Sequence, residues 1–127
     1  MADYQTKISG DRLYHTMSKG YGAPVELFGF IKDGETPMSL LNIALASCVT
    51  MCVQVYFARF HQETVLTTLV AASYQEGHFD IRIGVAHAFD DEMVAAILAY
   101  IDEHCRVKKA LREELTYAIT IEENHDS

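Results

Sequence analysis

Two cysteines stand four residues apart in "ALASCVTMC", Cys48 and Cys52, and a third, Cys105, lies 57 positions after the first. Thiols support three chemistries: packing as small hydrophobes, ligation of a soft metal, or redox cycling. The spacing discriminates between them only in part. Residues four apart on a helix share a face, but their Cβ atoms sit about 5–6 Å apart with near-parallel directions, whereas a disulfide needs about 3.8 Å. Cys48 and Cys52 are therefore poor partners for each other. If Cys48 forms a disulfide, the remaining candidate is Cys105. Core packing of all three stays open, because free cysteine is among the most buried residue types. Cys48, Cys52, Cys105 and His104 could nominally ligate zinc, yet none has CxxC spacing and no HExxH is present, so metal binding is disfavoured on spacing and no metal is expected.

Around Cys105 the chain gathers charge. Arg106, Lys108, Lys109 and Arg112 are four of its ten basic residues, within seven positions. Such cations would favour a thiolate; the competing reading is a solvated helix face balanced by Glu113 and Glu114. Cys48 lies about eleven residues into its helix, beyond the reach of the terminal dipole, so its activation requires a partner brought in by the fold. Arg12, in "SGDRLYH", is a candidate. The other histidines are dispersed and read as surface or structurally satisfied groups. Phosphate-binding glycine loops, serine nucleophile elbows and basic aromatic platforms are absent, so no cofactor is expected.

The elements that must position these thiols follow from patterning. "YQTKI", "RLYHTM" and "APVELFGFI" read as short strands separated by glycines. After the turn "KDGET", Thr36 is a good N-cap and Pro37 suits the first helical position. "PMSLLNIALASCVTMCVQVYFARF" then has no internal glycine or proline and predicts a helix of about 23 residues, roughly 35 Å long. Leu41, Leu45, Cys48, Cys52 and Val55 mark its expected apolar spacing, broadened by Met38, Ile43, Ala44, Met51 and Phe57. That breadth calls for burial on more than one side, supplied by a dimer or by a covering sheet. Two strands follow around "QEGH", with Phe79, Ile81, Ile83 and Val85 alternating against polar or small residues. Asp90 caps a second helix ending near Cys105, "RVKKALREE" predicts a short third, and "LTYAITI" predicts a closing strand. The order gives a two-layer α+β domain, one unit over residues 1–127.

A net charge of −8 disfavours nucleic acid and anionic lipid as partners. The N-terminus lacks a signal-peptide pattern, and the apolar segment is interrupted by Asn42, Ser47, Thr50 and Gln54, so no membrane span is expected. Three cysteines without an export signal point to free thiols in a reducing, cytoplasmic setting.

"GETPMSLLNIALASC" and "DEHCRVKKAL" together resemble the two cysteine segments of the OsmC/Ohr family, the osmotically inducible and organic-hydroperoxide-resistance proteins. The likeness covers most of residues 21–121. It implies an intertwined homodimer with sites at the subunit interface, in which a long central helix packs on an antiparallel-rich sheet. It further implies a thiol-dependent peroxidase acting on organic hydroperoxides, with Cys48 as the peroxidatic and Cys105 as the resolving cysteine, an arginine such as Arg12 beside the thiolate, and an external dithiol as reductant. Met38 stands where Ohr-type members carry a carboxylate that orients the arginine. A second reading keeps the dimer as a binding protein for a small apolar molecule, with cysteines as lining.

Overall fold

The computed structural model describes residues 4–125. Strands β1 (Lys7–Arg12), β2 (His15–Lys19) and β3 (Val25–Phe28) are followed by α1 (Pro37–His61), β4 (Thr67–Gln75), β5 (His78–Val85), α2 (Asp91–His104), α3 (Arg106–Ala110) and β6 (Thr116–Glu123). The expected order of elements is the observed one. The chain forms two compact units, one up to Leu41 and the other from Asn42 onward.

In the first unit β1, β2 and β3 form an antiparallel sheet in that order. The first hairpin differs from expectation. Gly10, expected between strands, lies inside β1 beside an irregularity between Ser9 and Arg12, and the chain reverses at Leu13–Tyr14 instead. The reversal is possible because Tyr14 adopts a positive φ of 57°, with its ring edge-on to Phe30. Gly29 is required beneath it, since a Cβ there would come within 2.7 Å of the Tyr14 side chain. Arg12 therefore ends β1 and faces His15 across the turn. The helix start matches expectation. The Ser39 amide donates to Thr36 Oγ1 at 3.1 Å, the Thr36 amide donates to Ser39 Oγ at 2.7 Å, and the Leu40 amide donates to the Thr36 carbonyl.

His15 is the buried polar residue of this sheet, 7% exposed. Its Nε2 lies 2.7 Å from Glu26 and its Nδ1 2.5 Å from Asp11. Two carboxylate acceptors favour the imidazolium, so hydrogen bonding to Glu26 and then to Asp11 raises the His15 pKa above its ordinary 6.5, against burial and the Arg12 charge. The sign follows. The stabilisation is fully present below about pH 6.5 and is lost as pH rises through the elevated folded-state value. The Asp11 pKa is lowered, chiefly by the same His15 contact, so its contribution is lost as pH falls through that value. NMR titration of the His15 ring should give a pKa above 6.5, and His15→Gln should flatten the loss of stability on the alkaline side; a midpoint at or below 6.5 would contradict the clamp.

In the second unit β4 and β5 pair antiparallel from Gln75↔His78 to Thr67↔Val85, across a two-residue turn in which Glu76 and Gly77 both take positive φ. β6 pairs with β5 in parallel, from His78↔Thr116 to Val85↔Glu123. A parallel neighbour demands a crossover, and α2 with α3 supplies it. The mixed sheet turns Phe79, Ile81, Ile83 and Val85 into the core, as their alternation predicts. α1 and α2 complete that core with Leu45, Val49, Val53, Phe57, Ile97 and Ile101, all fully buried. The Asn42 side chain donates to the Ala72 carbonyl of β4 at 3.0 Å, tying helix to sheet. The result is an α+β fold with a long helix packed on a mixed sheet.

The buried stripe of α1 departs from the expected one. Leu45, Val49, Cys52, Val53 and Phe57 are buried, whereas Ile43, Met51 and Val55, expected inside, are exposed, Met51 by 59%. Apolar residues surround this helix, so periodicity alone cannot choose the face that meets the sheet. α1 is also long and apolar enough to cross a membrane by length and composition, with mean hydropathy 1.8 and one third of that window buried. α3 is shorter than expected, ending at Ala110, where the Leu111 amide donates to the Lys108 carbonyl.

Candidate functional site

Cys48 and Cys52 occupy successive turns of α1, and Cys105 sits at the junction of α2 and α3. The junction is held by backbone bonds. The Cys105 amide donates to the Ile101 carbonyl at 2.9 Å, closing α2, and the Lys109 amide donates to the Cys105 carbonyl, opening α3. With φ −74° and ψ 103° the residue is extended and breaks the helix at this point. Asp90 sets the other end of α2 by accepting from the Met93 amide at 2.7 Å. The three sulfur atoms lie within 4.8 Å of one another, and all three thiols are free.

Exposure divides them. Cys52 and Cys105 are buried and Cys48 is partly exposed. Burial pushes the Cys105 thiol up to about 12, with Cys48 and Cys52 adding to the rise and only a backbone hydrogen bond from Lys108 opposing it. Cys52 is also raised, first by burial and then by Cys48. The basic run after Cys105 does not produce the thiolate that its charge suggested. Lys108 is ion-paired with Asp102 and lies over the Tyr117 ring at 5.0 Å, so its charge is spent there, and desolvation governs the thiol.

Arg12, the third residue singled out from sequence, belongs to the first unit. Its guanidinium is 3.1 Å from Asp11 and more than half exposed. Asp11 thus touches both Arg12 and His15, a bridging role that "SGDRLYH" alone did not reveal. A groove of about 420 Å³ runs between α1 and β4, lined by Asn42, Ile43, Ala46, Thr50, Met51 and Val70 among others. None of the three cysteines is among its lining residues.

This architecture recurs among solved structures. An osmotic stress induced and detoxification response protein of Psychrobacter arcticus is 15% identical, with a TM-score of 0.79 over 95% of this chain and 97% of that one. An OsmC-like protein of Mycoplasma pneumoniae is 11% identical, with a TM-score of 0.74 over 97% and 99%. The organic hydroperoxide resistance protein OhrB of Bacillus subtilis is 14% identical, with a TM-score of 0.65 over 94% and 98%. The chain therefore has the fold of OsmC-like proteins. No protein-family model and no curated protein matches it.

Proposed function

We propose that this chain is a thiol-dependent peroxidase of the OsmC/Ohr type, a single domain over residues 1–127, that reduces organic hydroperoxides in the cytoplasm. The observation that carries the reading is the cluster itself: one solvent-reachable thiol, Cys48, with Cys105 buried within 4.8 Å of it. The Cys48 thiolate attacks a peroxide oxygen, the O–O bond breaks, and the alkoxide leaves with a proton as alcohol. Cys48 is then a sulfenic acid. The Cys105 sulfur displaces the sulfenic oxygen, its proton leaves with that oxygen as water, and the Cys48–Cys105 disulfide forms. An external dithiol returns both residues to thiols through a mixed disulfide and is itself oxidised. Cys105 is adapted to the second step by position, because a held partner gains the advantage of an intramolecular reaction despite its raised pKa.

In this proposal Arg12 stabilises the Cys48 thiolate and polarises the peroxide. The functional unit is a homodimer. Ile43, Met51, Val55 and Phe60 leave α1 with an exposed apolar surface, and a second copy would cover it. Sedimentation should show a dimer, and Met51→Asp, which places a charge in that contact, should weaken association more than about tenfold. A wild-type monomer at every concentration would remove the dimer from the proposal. The peroxidase itself is tested by counting free thiols after one equivalent of organic hydroperoxide and mapping the disulfide, which should join Cys48 to Cys105.

A further inference from the structure

The resolving chemistry above uses two thiols, and the cluster contains three. We infer that Cys48, Cys52 and Cys105 together form a three-thiol binding site for a trivalent thiophilic centre, of which arsenite is the soluble form. The geometry is favourable. Two sulfurs come from successive turns of one helix face and the third from the α2–α3 junction, all within 4.8 Å of one another. Bonds of about 2.3 Å at the angles of about 100° that the arsenic lone pair imposes hold three sulfurs about 3.5 Å apart, so closing on one centre from separations within 4.8 Å needs a contraction of at most about 1.3 Å.

Coordination number narrows the occupant. Among the described residues no histidine or carboxylate joins the group. His104, next to Cys105, is engaged elsewhere: its ring lies 4.2 Å from that of Tyr100, and Nε2 is 3.8 Å from Glu103. Zinc favours four ligands and would lack one from the protein. Charge narrows it further. A free divalent or monovalent cation held by three thiolates leaves a net anion, which the buried positions of Cys52 and Cys105 disfavour. Arsenite arrives as neutral arsenous acid. Three S–H and three As–O bonds break, three As–S and three O–H bonds form, and three waters leave. Nothing is oxidised or reduced, no net proton is released, and the product is neutral, as a buried site requires.

This inference does not rest on the peroxidase reading, since it concerns the reduced thiols without an oxidant. The test adds one equivalent of sodium arsenite to the reduced full chain under anaerobic conditions. The expected result is a single adduct by native mass spectrometry, gaining one arsenic and losing three hydrogens, with all three thiols lost to titration. Each of Cys48→Ser, Cys52→Ser and Cys105→Ser should lose the adduct on desalting. Wild-type protein that retains a titratable thiol with arsenite bound overturns the proposal, and this readout needs no variant to fold. Displacement of arsenite by equimolar zinc overturns the choice of a trivalent centre. Failure of arsenite binding with an intact hydroperoxide-driven disulfide would sink this site alone; binding without that disulfide would sink the peroxidase alone.

Discussion

Cys48→Ser will abolish hydroperoxide-dependent thiol loss, while Cys105→Ser will oxidise once and stop. The asymmetry follows from exposure. Cys48 is the one member of the cluster that is not buried, so an incoming peroxide meets it first. Cys105 is fully buried with its pKa pushed up to about 12, which leaves it a poor direct nucleophile at neutral pH. If Cys48 forms the covalent intermediate as proposed, its removal should reduce turnover by on the order of 10⁴-fold or more, toward the rate of the dithiol alone. In Cys105→Ser the sulfenic acid has lost its intended partner, and a sulfenic-acid trap should label Cys48 stoichiometrically. Cys52 cannot readily replace that partner while α1 stays regular, because side chains four apart run nearly parallel. A Cys48–Cys52 disulfide forming in Cys105→Ser at the wild-type rate would show that α1 deforms at this turn. Equal thiol loss in wild type and Cys48→Ser would remove Cys48 from the reaction.

Local chemistry made much of this fold legible. Thr36–Pro37 and Asp90 begin helices by capping, and Glu76–Gly77 turns a hairpin by positive φ, each requiring only neighbours in sequence. Phe79, Ile81, Ile83 and Val85 announced their strand because period two matches the pleat. The parallel pairing of β5 with β6 was not legible, since it depends on where the α2–α3 crossover lands. Neither was the inward face of α1, where Val49 and Val53 are buried and Met51 and Val55 are not. At the site, spacing argued against a Cys48–Cys52 disulfide but could not gather the third thiol, which the fold brings within 4.8 Å of both. The link to Cys105 came from resemblance to a family. The spacing argument against metal considered neighbours in sequence, whereas the fold assembles its three sulfurs from two elements. Of the two readings left open for the basic run after Cys105, the solvated face fits better, because Lys108 pairs with Asp102 and burial dominates at the thiol.

Phe57→Ala should be the most damaging single truncation in α1, and its effect should separate stability from chemistry. Phe57 is fully buried, and its ring lies 4.7 Å from that of His87, 6.0 Å from Phe89 and 5.6 Å from His61. These contacts join the last turns of α1 to the segment between β5 and α2. Replacing a buried phenylalanine by alanine costs about 3–5 kcal/mol through lost transfer energy and an unfilled cavity. Against a typical total of about 5–15 kcal/mol, that loss places the variant near its folding threshold. Urea denaturation should shift to a lower midpoint with little change in slope. The cysteines sit in earlier turns of α1 and at the far end of α2, so the folded fraction of Phe57→Ala should still form the Cys48–Cys105 disulfide at the wild-type rate. A stability loss below about 1 kcal/mol would mean that the surrounding rings collapse into the space, and that the α1 terminus is not the rigid anchor its packing describes.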